Sequence, residues 1–210
     1  MLNDLETTEL LVAKMCHDLS GPIGAIHNGF EFFQEENQSM RERAVKLIET
    51  STYQAVIRLQ FFRQLYGISP SIGEANLGEL RMLAKNFFAE QKVKIIWTDE
   101  NMTIPGIIIN HKFAKAILNL IHITGLMLIR GGTISIHLEK LSNGKKASII
   151  GEGETLKCDT TAIQILQNNF ADVTINTKNI NVYLLSKLIQ STNTNLTIAL
   201  GERRISFEIE

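Results

Sequence analysis

The sequence predicts an α+β protein, with an N-terminal antiparallel helical hairpin followed by an α/β sandwich domain. Residues 4–66 repeat apolar side chains at helical spacing, whereas beyond residue 76 helical stretches alternate with short period-two stretches. The Gly- and Ser-containing loop at 67–73 separates these two patterns. We therefore expect domains at 1–68 and 76–210, the second with helices on one face of a mixed sheet.

The hairpin begins at a helix-capping signal. Asn3 and Glu6 have the spacing of a capping box, and a helical pattern follows over 4–36. A short polar turn separates it from a second helical pattern at 40–66, so the two helices should be antiparallel neighbours. In the first helix, apolar residues recur every seven positions at Leu5, Val12, Leu19, Ile26 and Phe33, with Cys16, Ile23 and Phe30 beside them.

The apolar stripes of the hairpin are too broad for one hairpin to cover. The stripe of the second helix consists of Val45, Ile48, Thr52, Ala55, Leu59, Phe62 and Tyr66. The apolar surface that the two helices do not cover for each other must be covered by the second domain or by another copy of the hairpin. A two-fold axis presents one patch to itself, so the simplest solution is a homodimeric four-helix bundle.

Turn residues and the alternation of apolar and polar side chains predict the elements of the second domain. Residues 133–138 alternate apolar and polar side chains, and the turn at 142–145 predicts a hairpin. Gly201 joins the last two strands. The predicted helices are 77–90, 110–129, 160–169 and 180–190, and the predicted strands are 92–98, 102–109, 133–138, 147–150, 195–200 and 204–209.

Composition and charge exclude several classes of protein. Of 210 residues, 21 are Lys or Arg and 22 are Asp or Glu, so there is no excess of positive charge for a nucleic-acid-binding face. The N-terminus has no signal-peptide pattern, and the most apolar stretch, at 116–129, is too short to span a membrane. The two cysteines have no metal-binding spacing. We expect a cytoplasmic protein without a metal site.

One exposed histidine has unusual neighbours. His17 points away from the apolar seam of the first helix and should face solvent. Ser20, Gly21 and Gly24 lie on the same face within two turns, and all three are small. A glycine inside a helix costs roughly 1 kcal/mol relative to alanine. Clearance for a docking partner would explain two of them beside one histidine.

The string His17-Asp18-Leu19-Ser20-Gly21-Pro22 resembles the phosphoacceptor box of two-component histidine kinases. That box has a histidine, an acidic residue, an aliphatic residue, two variable positions and a proline, usually with a basic residue where Ser20 stands. The wider segment 15–29 looks more specifically like the ChpT-type histidine phosphotransferases. The resemblance extends to the length and the two-part layout, and it implies that the second domain is a degenerate histidine-kinase ATPase (Bergerat-like) domain.

The nucleotide-binding signatures that this resemblance would require are incomplete. Asn119-Leu120-Ile121 resembles the start of the kinases' N-box, but the second, magnesium-associated Asn falls at Ile123. Gly151-Glu152-Gly153 resembles the Asp-x-Gly-x-Gly loop, but the adenine-binding Asp falls at Ile149, and by itself Gly-x-Gly indicates only a turn. Asn179-Ile180-Asn181 stands where kinases have the Gly-x-Gly lid. Isoleucine can neither ligate Mg²⁺ nor bind an adenine amino group, so we expect no ATP binding and no resident cofactor.

The sequence therefore predicts a phosphohistidine shuttle. His17 would accept a phosphoryl group from the aspartyl-phosphate of one receiver domain, on a hybrid histidine kinase, and pass it to a response regulator. A neutral imidazole is a good nucleophile. Asp18 would orient the ring, and Lys14 would help to neutralise phosphohistidine. The resemblance implies that the receiver supplies Mg²⁺ and contacts the α/β domain as well.

Two other functions remain open from the sequence. The protein could be a divergent ATP-dependent histidine kinase, which nucleotide binding would reveal. It could also be a non-catalytic dimeric adaptor for receiver domains, whose function would not depend on His17. In the phosphotransfer hypothesis the docking surface surrounds His17 and includes Ser20, Gly21 and Gly24.

Overall fold

The structure, a computed structural model, describes residues 2–69, 72–97, 109–142 and 144–210 and has the predicted α+β fold. Its elements in chain order are α1 (Asp4–Phe33), α2 (Gln38–Tyr66), α3 (Leu77–Phe88), β1 (Val93–Trp97), α4 (His111–Met127), β2 (Gly132–Leu141), β3 (Gly144–Glu152), α5 (Thr160–Leu166), α6 (Ile180–Ser191), β4 (Leu196–Leu200) and β5 (Arg204–Ile209). None of the helices in the described ranges has both the length and the apolar character of a membrane span.

The ends of the hairpin helices follow from their caps. The Glu6 N–H donates to Asn3 Oδ1 at 2.8 Å, and the Asn3 N–H donates to Glu6 Oε2 at 2.9 Å, which confirms the predicted capping box. The Asn37 side chain accepts from two backbone N–H groups, so α2 begins at Gln38, before the predicted residue 40. The first helix ends at Phe33, before the predicted residue 36.

Small residues bring α1 and α2 close together. Pro22 and Gly29 are the buried residues of α1. A Cβ atom added at Gly29 would lie 2.6 Å from Ile48 Cγ1 and 3.4 Å from the Ala44 carbonyl oxygen. Gly29 therefore allows α2 to pack directly on the α1 backbone.

The sheet is mixed, as predicted, with strand order β1-β2-β3-β5-β4. The β1–β2 pair is parallel and the other three pairs are antiparallel. The predicted strand at 102–109 falls almost entirely on residues 98–108, which lie outside the described ranges. The helix α5 ends at Leu166 rather than 169, because Asn168 has a left-handed backbone with φ 60°.

The helix α4 packs on the sheet across a glycine. Gly151 lies inside β3, between Ile134 of β2 and Ile205 of β5, so the interpretation of Gly151-Glu152-Gly153 as a turn is wrong. A Cβ atom at Gly151 would lie 2.3 Å from Thr124 Cγ2 of α4. Gly151 is therefore required for close helix–sheet packing.

The C-terminal half of α2 joins the core of the α/β domain. The Phe61 and Phe87 rings stack with centroids 3.9 Å apart, and the buried His122 ring packs edge-on to them at 5.7 and 5.6 Å. At the end of α2, Asn119 Nδ2 donates to the Leu65 carbonyl at 3.4 Å and to the Lys115 carbonyl at 2.9 Å. These contacts fix the hairpin against α3 and α4.

Candidate functional site

His17 lies on the exposed surface of α1, as the helical spacing predicts, with its side chain 84% exposed. It lies about 120° around the helix from Ile23, which belongs to the apolar stripe. Ser20 Oγ donates to the His17 carbonyl at 2.7 Å, so the Ser20 side chain is turned toward its own helix backbone. The imidazole is therefore open to a partner from solvent.

Asp18 connects the exposed histidine to a partly buried ion pair. Its Oδ1 atom lies 3.2 Å from His17 Nδ1 and accepts from Lys14 Nζ at 2.8 Å. The Lys14 and Asp18 side chains are only 16% and 15% exposed. A carboxylate beside Nδ1 favours the tautomer with the proton on that atom, which leaves the lone pair of Nε2 free for attack.

A missing backbone donor distinguishes this turn of α1. Pro22 has no N–H, so the Asp18 carbonyl lacks its helical partner. Arg58 Nη1 of α2 donates to that carbonyl at 3.4 Å. The sequence motif around His17 does not point to Arg58. The helical spacing of α2 does indicate that Arg58 faces the interior, because it lies seven residues from both Ser51 and Leu65, which are buried.

A cavity of about 270 Å³ lies beside Asp18, between the hairpin and the α/β domain. Its walls include Lys14, Asp18, Arg58, Phe87 and His122. Burial first, and then the positive charges of Lys14 and Arg58, lower the pKa of His122 to about 4, against the opposing charge of Asp18. The His122 ring is therefore neutral at pH 7 and shares this electrostatic environment with the carboxylate that contacts His17.

His122 should make folding stability depend on pH. The pKa of His122 rises from about 4 to near 6.5 on unfolding, so the unfolded chain binds the proton more readily. Its stabilising contribution is complete above pH 6.5 and is lost as the pH falls toward 4. From pH 7.5 to pH 5 we expect the wild type to lose about 2 kcal/mol more unfolding free energy than His122→Gln. Urea denaturation at both pH values measures this difference, and parallel losses would contradict it.

The two glycines near His17 have room around them. A Cβ atom at Gly21 or Gly24 would have no neighbour within 4 Å. Neither glycine is required by packing inside the chain, unlike Gly29 and Gly151. Together with Ser20, they leave the surface beside His17 low and unobstructed.

The second domain identifies the family. Residues 77–204, well over half of the chain, match the family described as the histidine phosphotransferase C-terminal domain. The chain belongs to the histidine phosphotransferase family. It is 26% identical to "Protein phosphotransferase ChpT" of Brucella abortus (strain 2308), over all of this chain and 97% of that one. The resemblance to ChpT-type phosphotransferases is thereby confirmed.

Solved structures agree with this fold. A bacterial phosphotransferase determined at 1.7 Å matches with a TM-score of 0.84 and 24% identity, over 100% of this chain and 98% of that one. Full-length ShkA in complex with AMPPNP matches with a TM-score of 0.50 and 14% identity, over 96% of this chain and 45% of that one. Both matches span the hairpin and the α/β domain together.

In this histidine phosphotransferase, the kinase-like positions belong to the core. Ile123 and Ile149 are buried, and Asn119 is a buried residue whose side chain donates to backbone carbonyls. Asn179 accepts from the Asn176 N–H at 2.8 Å, and Asn181 is buried in α6. Over the described part of the chain, no three His, Cys, Asp or Glu side chains are grouped to hold a metal ion.

Proposed function

We propose that the protein is a phosphorelay intermediate in which His17 carries the phosphoryl group. Membership of the histidine phosphotransferase family supports phosphotransfer. The observation on which the assignment to His17 depends is its exposed ring, with Nδ1 3.2 Å from Asp18 Oδ1. His27, the other histidine of α1, has no acidic residue directly beside it in the chain and only a 3.7 Å contact with Glu31.

The transfer needs little chemistry from this chain. Nε2 of His17 attacks the phosphorus of an aspartyl-phosphate, the P–N bond forms, and the P–O bond to the partner's carboxylate breaks with its electron pair on oxygen. The ring then carries a positive charge with the proton still on Nδ1, and the Asp18 carboxylate stabilises that charge. Lys14, whose Nζ lies 2.8 Å from Asp18 Oδ1, offsets part of the added phosphoryl charge. The remaining contribution is positioning on a rigid helix pair.

The partners that fit this site are receiver domains, one on a hybrid histidine kinase and one on a response regulator. A receiver must bring its aspartyl-phosphate within bonding distance of Nε2, so its active-site loops must approach the α1 backbone. Ser20, Gly21 and Gly24 provide that clearance, since nothing projects from the helix at the glycines. We assign these three residues to the docking surface.

Replacing Gly24 by alanine should separate stability from docking. The added methyl group meets no atom of the chain, and alanine is the better helix former, so the unfolding free energy should rise by about 1 kcal/mol. The same methyl group stands on the docking surface and should slow labelling of His17 by a phosphorylated receiver several-fold. Thermal unfolding and a labelling time course measure the two effects. Unchanged labelling would remove Gly24 from the docking surface.

The protein should work without ATP. In the positions where kinases bind magnesium and adenine, Ile123 and Ile149 are buried apolar side chains. Gly151 is explained by its contact with Thr124 and needs no phosphate-binding role. A buried isoleucine side chain offers no oxygen ligand to Mg²⁺ and no acceptor to an adenine amino group.

We further propose that the hairpin forms a homodimeric four-helix bundle. Seven large apolar side chains, between 40% and 66% exposed, follow one side of it. This apolar face consists of Leu5, Val12, Ile23 and Phe30 of α1 and Val45, Val56 and Leu59 of α2. It lies away from the α/β domain, because the buried Phe61 is about 140° around α2 from Val56. A second copy of the same face would cover it symmetrically.

Two labelling reactions test the proposed function. The protein is incubated with [γ-³²P]ATP alone, and in parallel with a receiver domain that a kinase has already phosphorylated and that has been freed of nucleotide. We expect label on the protein only in the second reaction. Label from ATP alone would instead support a divergent kinase, and absence of label from every receiver of the same organism would contradict phosphotransfer.

A further inference from the structure

The turn of α1 that carries the phosphoacceptor depends on a donor from another helix. Pro22 leaves the Asp18 carbonyl without an N–H partner, and Arg58 Nη1 reaches that carbonyl at 3.4 Å from α2. We propose that Arg58 is a positioning residue for phosphoryl transfer: it holds this turn and thereby keeps the Asp18 carboxylate against His17. The proposal rests on the phosphotransfer function of His17.

The burial of the turn explains why this donor is needed. Pro22 is buried, the Asp18 side chain is only 15% exposed beside the cavity walls of the α/β domain, and the hydrogen bond from Arg58 to the Asp18 carbonyl is itself partly buried. A partly buried carbonyl without a donor is unfavourable, and the chain would move to pair it. Any such movement displaces Asp18 Oδ1, which serves both His17 Nδ1 and Lys14 Nζ.

Arg58 acts through Asp18 rather than on the reacting atoms. Its hydrogen bond goes to the main chain of Asp18, and its side chain lines the cavity beside Phe87 and His122. It therefore also connects the phosphoacceptor turn to the α3 and α4 walls of that cavity. The consequence for chemistry is the tautomer of His17, because a displaced carboxylate no longer favours the proton on Nδ1.

A double-mutant cycle separates this role from a general effect of charge. Pro22→Ala restores an N–H that can donate to the Asp18 carbonyl, so Arg58 is no longer required there. We expect Arg58→Gln to slow labelling of His17 about tenfold in the wild-type background and less than about twofold in the Pro22→Ala background. Arg43→Gln, the same change at an exposed position of α2, is the matched control and should leave labelling unchanged.

A second readout does not require phosphotransfer. The ¹⁵N chemical shifts of the His17 ring report the fraction with the proton on Nδ1, and Arg58→Gln should lower it while Arg43→Gln does not. An unchanged tautomer, or equal slowing in both backgrounds, would overturn the positioning role. If no receiver labels His17, the proposed function fails, yet the tautomer measurement still decides the role of Arg58.

Discussion

Replacing His17 by alanine is expected to abolish labelling by a phosphorylated receiver, a loss of at least about a thousandfold, because no other side chain at the site can form the P–N bond. Asp18 Oδ1 lies 3.2 Å from His17 Nδ1 and accepts from Lys14 Nζ at 2.8 Å, but a carboxylate and a lysine held in that ion pair cannot replace the imidazole nucleophile. The measurement is transfer of ³²P from the receiver, followed by electrophoresis under alkaline conditions, since phosphohistidine is labile in acid.

A matched control is available on the same helix. His27 is also exposed, at 76% of its side chain, and lies ten residues after His17. His27→Ala should retain labelling, and both variants should unfold at the wild-type temperature because neither ring is buried. Residual label in His17→Ala would assign the phosphoryl group to another residue. If His17→Ala retained the protein's function in cells, the adaptor hypothesis would replace the phosphotransfer proposal.

Local signals explain which parts of the fold the sequence predicts. The capping box at Asn3 and Glu6 fixes the start of α1, because both hydrogen bonds form within four consecutive residues. Alternation along β5 places Ile205, Phe207 and Ile209 in the core, as observed. These features depend only on near neighbours in the chain, so periodicity and turn chemistry suffice to predict them.

The environment of Asp18 cannot be predicted from its near neighbours in the chain. Lys14 and Asp18 lie four residues apart in α1, and the structure shows an ion pair between them on one helix face. Its burial depends on α3 and α4, whose residues Phe87 and His122 come from distant parts of the chain. Placing Arg58 against the Asp18 carbonyl also requires the register between α1 and α2, which no pattern within either helix specifies.

The roles of the glycines also depend on contacts that local sequence patterns do not predict. In the structure Gly24 lies inside α1 and Gly151 lies inside β3, and their surroundings differ. The space around Gly24 is open, whereas Gly151 contacts Thr124 across the helix–sheet interface. Sequence alone assigns Gly151 to a turn or a nucleotide loop, because the contact that requires it lies between elements far apart in the chain.

A charge on the apolar face is expected to separate the proposed dimer into monomers. Ile23 and Leu59 lie on that face and are each 55% exposed in the single chain. Ile23→Glu or Leu59→Glu would bury a carboxylate in the bundle, and the two-fold axis introduces it twice. We expect dimerisation to weaken by about a thousandfold or more. Met82→Glu, at an exposed position of α3 outside the face, should have no such effect.

Sedimentation equilibrium measures this outcome directly, with the 23.6 kDa chain as the reference mass. The wild type and Met82→Glu should give twice that mass, and the two face variants should give the chain mass. His17, Asp18, Lys14 and Arg58 all belong to one chain and lie away from the apolar face, so the monomeric variants should still accept the phosphoryl group. A monomeric wild type would refute the dimer without affecting the assignment of His17, whereas loss of labelling in folded monomers would show that the site needs the second copy.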